Sequence, residues 1–184
     1  FAAVKQAASA PGWATPLAAM ASYSLVWRKG PEAFLDAAIA AGVSGAVVPD
    51  LPVEEAEEFA KRCRDRDFKL ILLVTPTTSP ERAERVVKAC SGFVYVVSVV
   101  GITGERATIS EVLPSLIGRL RGLTDLPLCV GFGVSRPEQV RELGALADGV
   151  IVGSALVKKL ETADRSKALA DVVAAVKELA GALA

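Results

Sequence analysis

Short runs of valine, isoleucine, leucine and alanine recur along this chain, and longer stretches with helical spacing of apolar residues separate them. "LILLV", "FVYVVS", "LCVG" and "GVIV" are continuous rather than alternating in hydrophobicity, which is how strands read when both faces of a parallel sheet are covered by helices. That alternation restricts the fold to βα units around a parallel sheet. Strands are expected near 17–21, 46–49, 70–74, 93–98, 128–131 and 149–152. Helices are expected near 32–41, 54–65, 80–89, 109–121 and 137–143, followed by a pair near 155–161 and 165–180. Ser79 before Pro80, and Ser135 shortly before Pro137, each supply an N-cap followed by proline in the first helical turn. The opening "FAAVKQAASA" reads as the back half of an amphipathic helix.

Six βα steps fit either an open doubly wound sheet or most of a (β/α)8 barrel. The glycines choose between them. A dinucleotide-binding open sheet carries its glycine-rich turn after the first strand, whereas here Gly131-Phe132-Gly133 and Gly153-Ser154 follow the last two. Barrels often build a phosphate site there, from the loops after strands seven and eight. Glycine lets backbone N–H groups approach an anion, and a helix start adds unpaired N–H groups aimed the same way. The expected fold is therefore α/β, a (β/α)8 TIM barrel with about six of its eight strands in residues 1–184, one domain whose first two strands would precede Phe1.

Composition removes several classes of function. The 21 basic and 21 acidic residues are interspersed and cancel, so no basic stripe exists to hold a nucleic acid. There is no histidine, which excludes histidine-ligated metal and leaves acid–base chemistry to carboxylates, tyrosine, lysine or backbone. Cys63, Cys90 and Cys129 lie far apart in apolar surroundings, as buried thiols in a reducing compartment do. No run of about eighteen uncharged apolar residues is present, so no membrane partner is expected. The run "EEAEEFAKRCRDRD", acids first and bases last, reads as the solvated face of a helix.

Four segments, "VVPDLPVEE" (47–55), "GFVYVVSVVGITGERA" (92–107), "VGFGVSRPEQV" (130–140) and "ADGVIVGSALV" (147–157), together resemble the tryptophan synthase alpha subunit family across essentially the whole chain. The resemblance implies retro-aldol cleavage of indole-3-glycerol phosphate to indole and glyceraldehyde 3-phosphate in tryptophan biosynthesis. It implies no cofactor in this chain, with pyridoxal phosphate only in a partner beta subunit and an alpha2beta2 assembly. It locates the protein in cytoplasm or plastid stroma. The same scaffold also accommodates a free-standing indole-releasing lyase, or a non-catalytic subunit that activates the beta subunit.

Carried over residue by residue, the resemblance places substrate contacts at Tyr95, Thr103, Gly104, Phe132, Gly133, Gly153 and Ser154. It places the catalytic glutamate and aspartate before Phe1, so the catalytic residues are not assigned here. A buried tyrosine in an apolar strand also serves as a core aromatic, and both readings of Tyr95 stand. Thr103 and Gly104 lie in the extended segment 99–108, expected to act as a lid. Asp50 ends a strand, but between Pro49 and Pro52 it reads foremost as a capping or partner-facing residue. Asp148, at the start of a strand, is expected on the stability face. Ser22 and Val99 depart from the family, which commonly has tyrosine and arginine there.

Overall fold

The computed structural model of the chain describes residues 1–98, 112–131, 133–161 and 164–183. They form two compact units, Phe1–Val74 with Ser79–Val94, and Thr75–Thr78 with Tyr95–Ala184.

The first unit runs α1 (Ala2–Ala8), β1 (Leu17–Met20), α2 (Tyr23–Lys29), α3 (Pro31–Ala40), β2 (Val43–Val47), α4 (Ala56–Asp65), β3 (Lys69–Ile71), β4 (Leu73–Val74) and α5 (Pro80–Ala89). Strands β1, β2 and β3 pair in parallel in that order, with Met20 opposite Val47 and Val47 opposite Ile71. Strand β2 begins at Val43, earlier than the apolar run suggests, because Ser44 and Gly45 interrupt its hydrophobicity; the register with β1 shifts there, Leu17 lying opposite Val43 and Ala18 opposite Gly45. The expected strand 70–74 is divided at Leu72, whose N–H donates to the Cys90 sulfur at 3.3 Å.

Helix α4 buries Ala56, Phe59, Ala60 and Cys63, a stripe at helical spacing, and leaves its charges in solvent as expected. Those charges tie α4 to α3. Arg62 bonds Glu32 and Glu58, and Arg66 bonds Glu32 and Asp36. Ser79 caps α5, accepting the Arg82 N–H at 3.3 Å.

Helix α2 was not legible in the sequence. Ser22 occupies its N-cap, but the side chain that holds its first N–H comes from another part of the chain, namely Asp50.

The second unit runs β5 (Val94–Val97, from Tyr95 on), α6 (Val112–Arg121), β6 (Leu128–Gly131), α7 (Pro137–Gly144), β7 (Gly149–Ile151), α8 (Ser154–Lys159) and α9 (Arg165–Gly181). All four residues of β5 are buried, as a strand covered on both faces requires. Strands β6 and β7 are parallel neighbours with Cys129 opposite Gly149, Val130 opposite Val150 and Gly131 opposite Ile151. Asp148 locks their first residues together: its N–H donates to the Leu128 carbonyl at 3.0 Å, and its carboxylate accepts the Leu128 N–H at 2.8 Å. The Arg121 guanidinium bonds both carboxylate oxygens, at 2.5 and 2.8 Å. This clip fixes the strand register at the end opposite to the glycine turns.

The start of α7 corrects one expectation. Its N-cap is Arg136, not Ser135, and the Gln139 side-chain oxygen reaches back to accept the N–H groups of Ser135 at 3.0 Å and Arg136 at 3.1 Å. Helix α9 is capped by Asp164, whose carboxylate accepts from Ser166 and Lys167, both at 3.0 Å.

Candidate functional site

Of the described sequence-predicted residues of the second unit, Gly133, Gly153 and Ser154 follow the C-terminal ends of β6 and β7, and Tyr95, the second residue of β5, brings its hydroxyl against Gly131 at the end of β6. Register is what brings them together. Gly131 and Ile151 are paired, so Gly133 and Gly153, each two residues further on, leave the sheet from adjacent strand ends. Gly133 has φ +78°, a conformation that disfavours any other residue, and a Cβ built there would meet nothing within 4 Å. Gly153 is the N-cap of α8 and is equally open, and Ser154 after it is exposed. The two turns therefore leave backbone accessible where a ligand can approach.

Gly131 is a glycine for a different reason. A Cβ on residue 131 would lie 2.5 Å from the Tyr95 hydroxyl oxygen and 2.9 Å from the Ile151 Cβ. The expectation that its missing side chain makes room for an anion is thus corrected, because Tyr95 fills that room. The Gly131 carbonyl is held as well, accepting the Ser98 N–H at 2.9 Å and the Ser98 hydroxyl at 3.0 Å.

Tyr95 is 6% exposed, and burial raises the pKa of its phenol, so it is protonated and a hydrogen-bond donor at neutral pH. Ser98, 3% exposed, is the one buried polar or charged side chain among the described residues. Sequence reasoning missed it. The available signal was a hydroxyl residue closing the otherwise apolar run "FVYVVS". Thr103, Gly104 and Phe132, with the expected lid at 99–108, lie outside the described residues.

Asp50, in the first unit, accepts the Tyr23 N–H at 2.7 Å through one carboxylate oxygen and the Ser22 hydroxyl through the other. The Ser22 hydroxyl, and after it the Tyr23 N–H, hold its carboxyl below the usual carboxylate range. The capping reading is the one this geometry bears out, with the cap applied to α2 rather than to its own turn. Burial pushes the thiols of Cys63 and Cys90 up to about 12 and about 11, and raises that of Cys129. Among the described residues no three histidine, cysteine, aspartate or glutamate side chains converge as a metal site. A surface depression lined by Glu54, Glu55, Glu57, Glu58, Lys61 and Arg64 belongs to the solvated flank of α4 and contains none of the sequence-predicted site residues.

A parallel strand–helix alternation that ends in two adjacent open glycine turns defines an α/β protein of the (β/α)8 barrel class, represented here by part of the barrel. The particular family follows from comparison. The family model for the tryptophan synthase alpha chain matches residues 2–184, and the chain belongs to that family. It is 48% identical over 170 residues to the tryptophan synthase alpha chain of Rhodopirellula baltica, covering 91% of this chain and 61% of that one. With the Arabidopsis thaliana alpha chain it shares 41% identity over 175 residues, 94% of this chain and 64% of the relative. Among solved structures, Mycobacterium tuberculosis tryptophan synthase superposes with a TM-score of 0.86 at 37% identity, over 99% of this chain and 66% of that chain. The tryptophan synthase A-subunit of Pyrococcus furiosus gives 0.83 at 37% identity, over 97% and 71%. The chain thus spans about three fifths of the length of these sequence relatives. The resemblance drawn from the four sequence segments is borne out.

Proposed function

We propose that this chain forms the phosphate- and indole-holding part of a tryptophan synthase alpha-type lyase, which cleaves indole-3-glycerol phosphate to indole and glyceraldehyde 3-phosphate. The observation that carries this reading is the register between β6 and β7, with open glycines two residues beyond the paired Gly131 and Ile151. The substrate phosphate is held by backbone N–H groups of Gly133, Gly153 and Ser154, joined by Phe132 and Gly104. Such groups suit a doubly charged anion because they donate without carrying a charge that must itself be desolvated.

The resemblance assigns Tyr95 and Thr103 to the reacting portion of the substrate, where the protonated phenol of Tyr95 can donate a hydrogen bond. Cleavage breaks the bond between indole C3 and the adjacent glycerol carbon. An acid protonates indole C3, a base removes the proton of the glycerol hydroxyl, and the C–C electron pair moves into the ring, restoring indole and leaving glyceraldehyde 3-phosphate. The resemblance assigns that acid–base pair to carboxylates that match no residue of this sequence. No cofactor enters these steps. The companion beta subunit, in an alpha2beta2 assembly, would carry the pyridoxal phosphate and consume the indole. A reducing compartment, bacterial cytoplasm or plastid stroma, suits the buried thiols.

Titration with indole-3-glycerol phosphate tests the proposal. Saturable binding displaced by glyceraldehyde 3-phosphate is expected, and absence of binding overturns it. Indole release by the whole protein, measured with and without a beta subunit, then separates a channelled lyase from a free-standing one. Release that the beta subunit does not accelerate would favour the latter.

A further inference from the structure

We infer that Ser98 is a positioning residue for the phosphate turn, an inference that rests on the cradle proposed above. A serine at the end of a buried strand is costly unless its hydroxyl is bonded, and this one is directed at the end of the neighbouring strand. Both its N–H, at 2.9 Å, and its hydroxyl, at 3.0 Å, donate to the carbonyl of Gly131. The N–H bond continues the contact between adjacent strands and would form with any residue other than proline. The hydroxyl bond is particular to serine or threonine. Two donors on one carbonyl restrict rotation of the peptide that follows Gly131 far more than a single ladder bond, because a planar peptide turns as one body.

On its other side Gly131 is enclosed by the Tyr95 hydroxyl and the Ile151 Cβ. The last residue of β6 is therefore fixed by its carbonyl and by its α-carbon, immediately before the chain turns into Gly133 at φ +78°. A Cβ on Gly133 would meet nothing within 4 Å, and on this proposal the aim of its N–H is set from Gly131. Gly153 reaches the same place from β7 and does not depend on Ser98. The two halves of the cradle are thus held by separate means, and the half at Gly133 is set by Ser98.

The test is an NMR titration of the chain with inorganic phosphate, following the amide resonances of Gly133 and Gly153, in the unsubstituted protein, Ser98→Ala and Ser98→Thr. In the unsubstituted protein both amides move with one Kd. Ser98→Ala weakens binding by roughly threefold to tenfold, the scale of one hydrogen bond acting through a neighbour, and shrinks the Gly133 response while that of Gly153 persists. Ser98→Thr, which keeps the hydroxyl, restores both. Val140→Ala, in the buried face of α7, serves as a stability control that lowers the melting temperature and leaves Kd unchanged. If Ser98→Ala lowers only the melting temperature and keeps Kd and the Gly133 response, or if Ser98→Thr gives no recovery in a folded protein, the positioning role is overturned and the cradle stands. If neither glycine responds in the unsubstituted protein, the cradle itself fails and the inference falls with it.

Discussion

The Tyr95 hydroxyl lies where a side chain on Gly131 would have to go, 2.5 Å from the position of its Cβ. Packing between β5 and β6, rather than ligand access, therefore dictates glycine at the last position of β6. Gly131→Ala is expected to destabilise the protein by about 1–3 kcal/mol, the usual cost of forcing atoms into a filled core. Tyr95→Phe in the same background removes the closest atom and should recover part of that loss. Thermal denaturation of the unsubstituted protein and the two variants checks this, and an unchanged melting temperature for Gly131→Ala would refute the contact.

Asp50 holds the first N–H of α2 from a distant strand end, and Asp50→Ala should cost about 0.5–1 kcal/mol, the low end for a cap because the carboxylate is exposed. The sign of its pH dependence follows from the depressed pKa. The stabilisation is fully present above the ordinary carboxylate range, about 4, and is lost as pH falls through the lower folded value. Chemical denaturation of both proteins at pH 7 and in progressively stronger acid should show two midpoints that converge. A difference that grows on acidification contradicts the assignment.

Thiol reactivity reports the core directly. With Cys63 raised to about 12 and Cys90 to about 11 by burial, neither presents thiolate to a disulfide reagent at pH 8. Only the half-buried Cys129 is expected to react in the native protein, and slowly, whereas all three cysteines react after unfolding. Rapid native labelling of Cys63 or Cys90 would show that α4 or α5 opens readily.

Helix α9 exposes Leu169, Val173 and Val176, spaced on one face, while burying Ala168, Ala175 and Leu179 on another. The chain should accordingly bind a hydrophobic dye, and Leu169→Glu with Val173→Lys should reduce that binding with little change in melting temperature. A large stability loss would mean that this face is packed in solution.

The sequence made the strand–helix order legible because buried parallel strands are written as continuous apolar runs. Strand β6 and helix α5 fall on the expected residues for that reason. Helix α2 escaped because its N-terminus is held by Asp50, a partner 27 residues from Tyr23 that no local pattern reveals. Ser135 looked like the cap of α7, but the cap is Arg136, and Gln139 reaches back from inside the helix to accept the N–H groups of Ser135 and Arg136. At the candidate site the glycine turns were legible and their division of labour was not. Gly131 and Gly133 look alike in a string of letters, and only tertiary neighbours show that one is filled by Tyr95 while the other is open. Ser98 was invisible for the same reason, since its meaning lies in a carbonyl 33 residues away.

Calorimetric titration of glyceraldehyde 3-phosphate into the unsubstituted chain and into Gly153→Val tests the cradle most directly. A Cβ on residue 153 would meet nothing within 4 Å, so the valine side chain would extend into the open space where the phosphate is proposed to lie. The account predicts saturable binding to the unsubstituted chain and a loss of about 1–3 kcal/mol in the variant, the scale of hydrogen bonds to a charged group, with folding preserved. Equal affinity in the two proteins, or no binding to either, would contradict it.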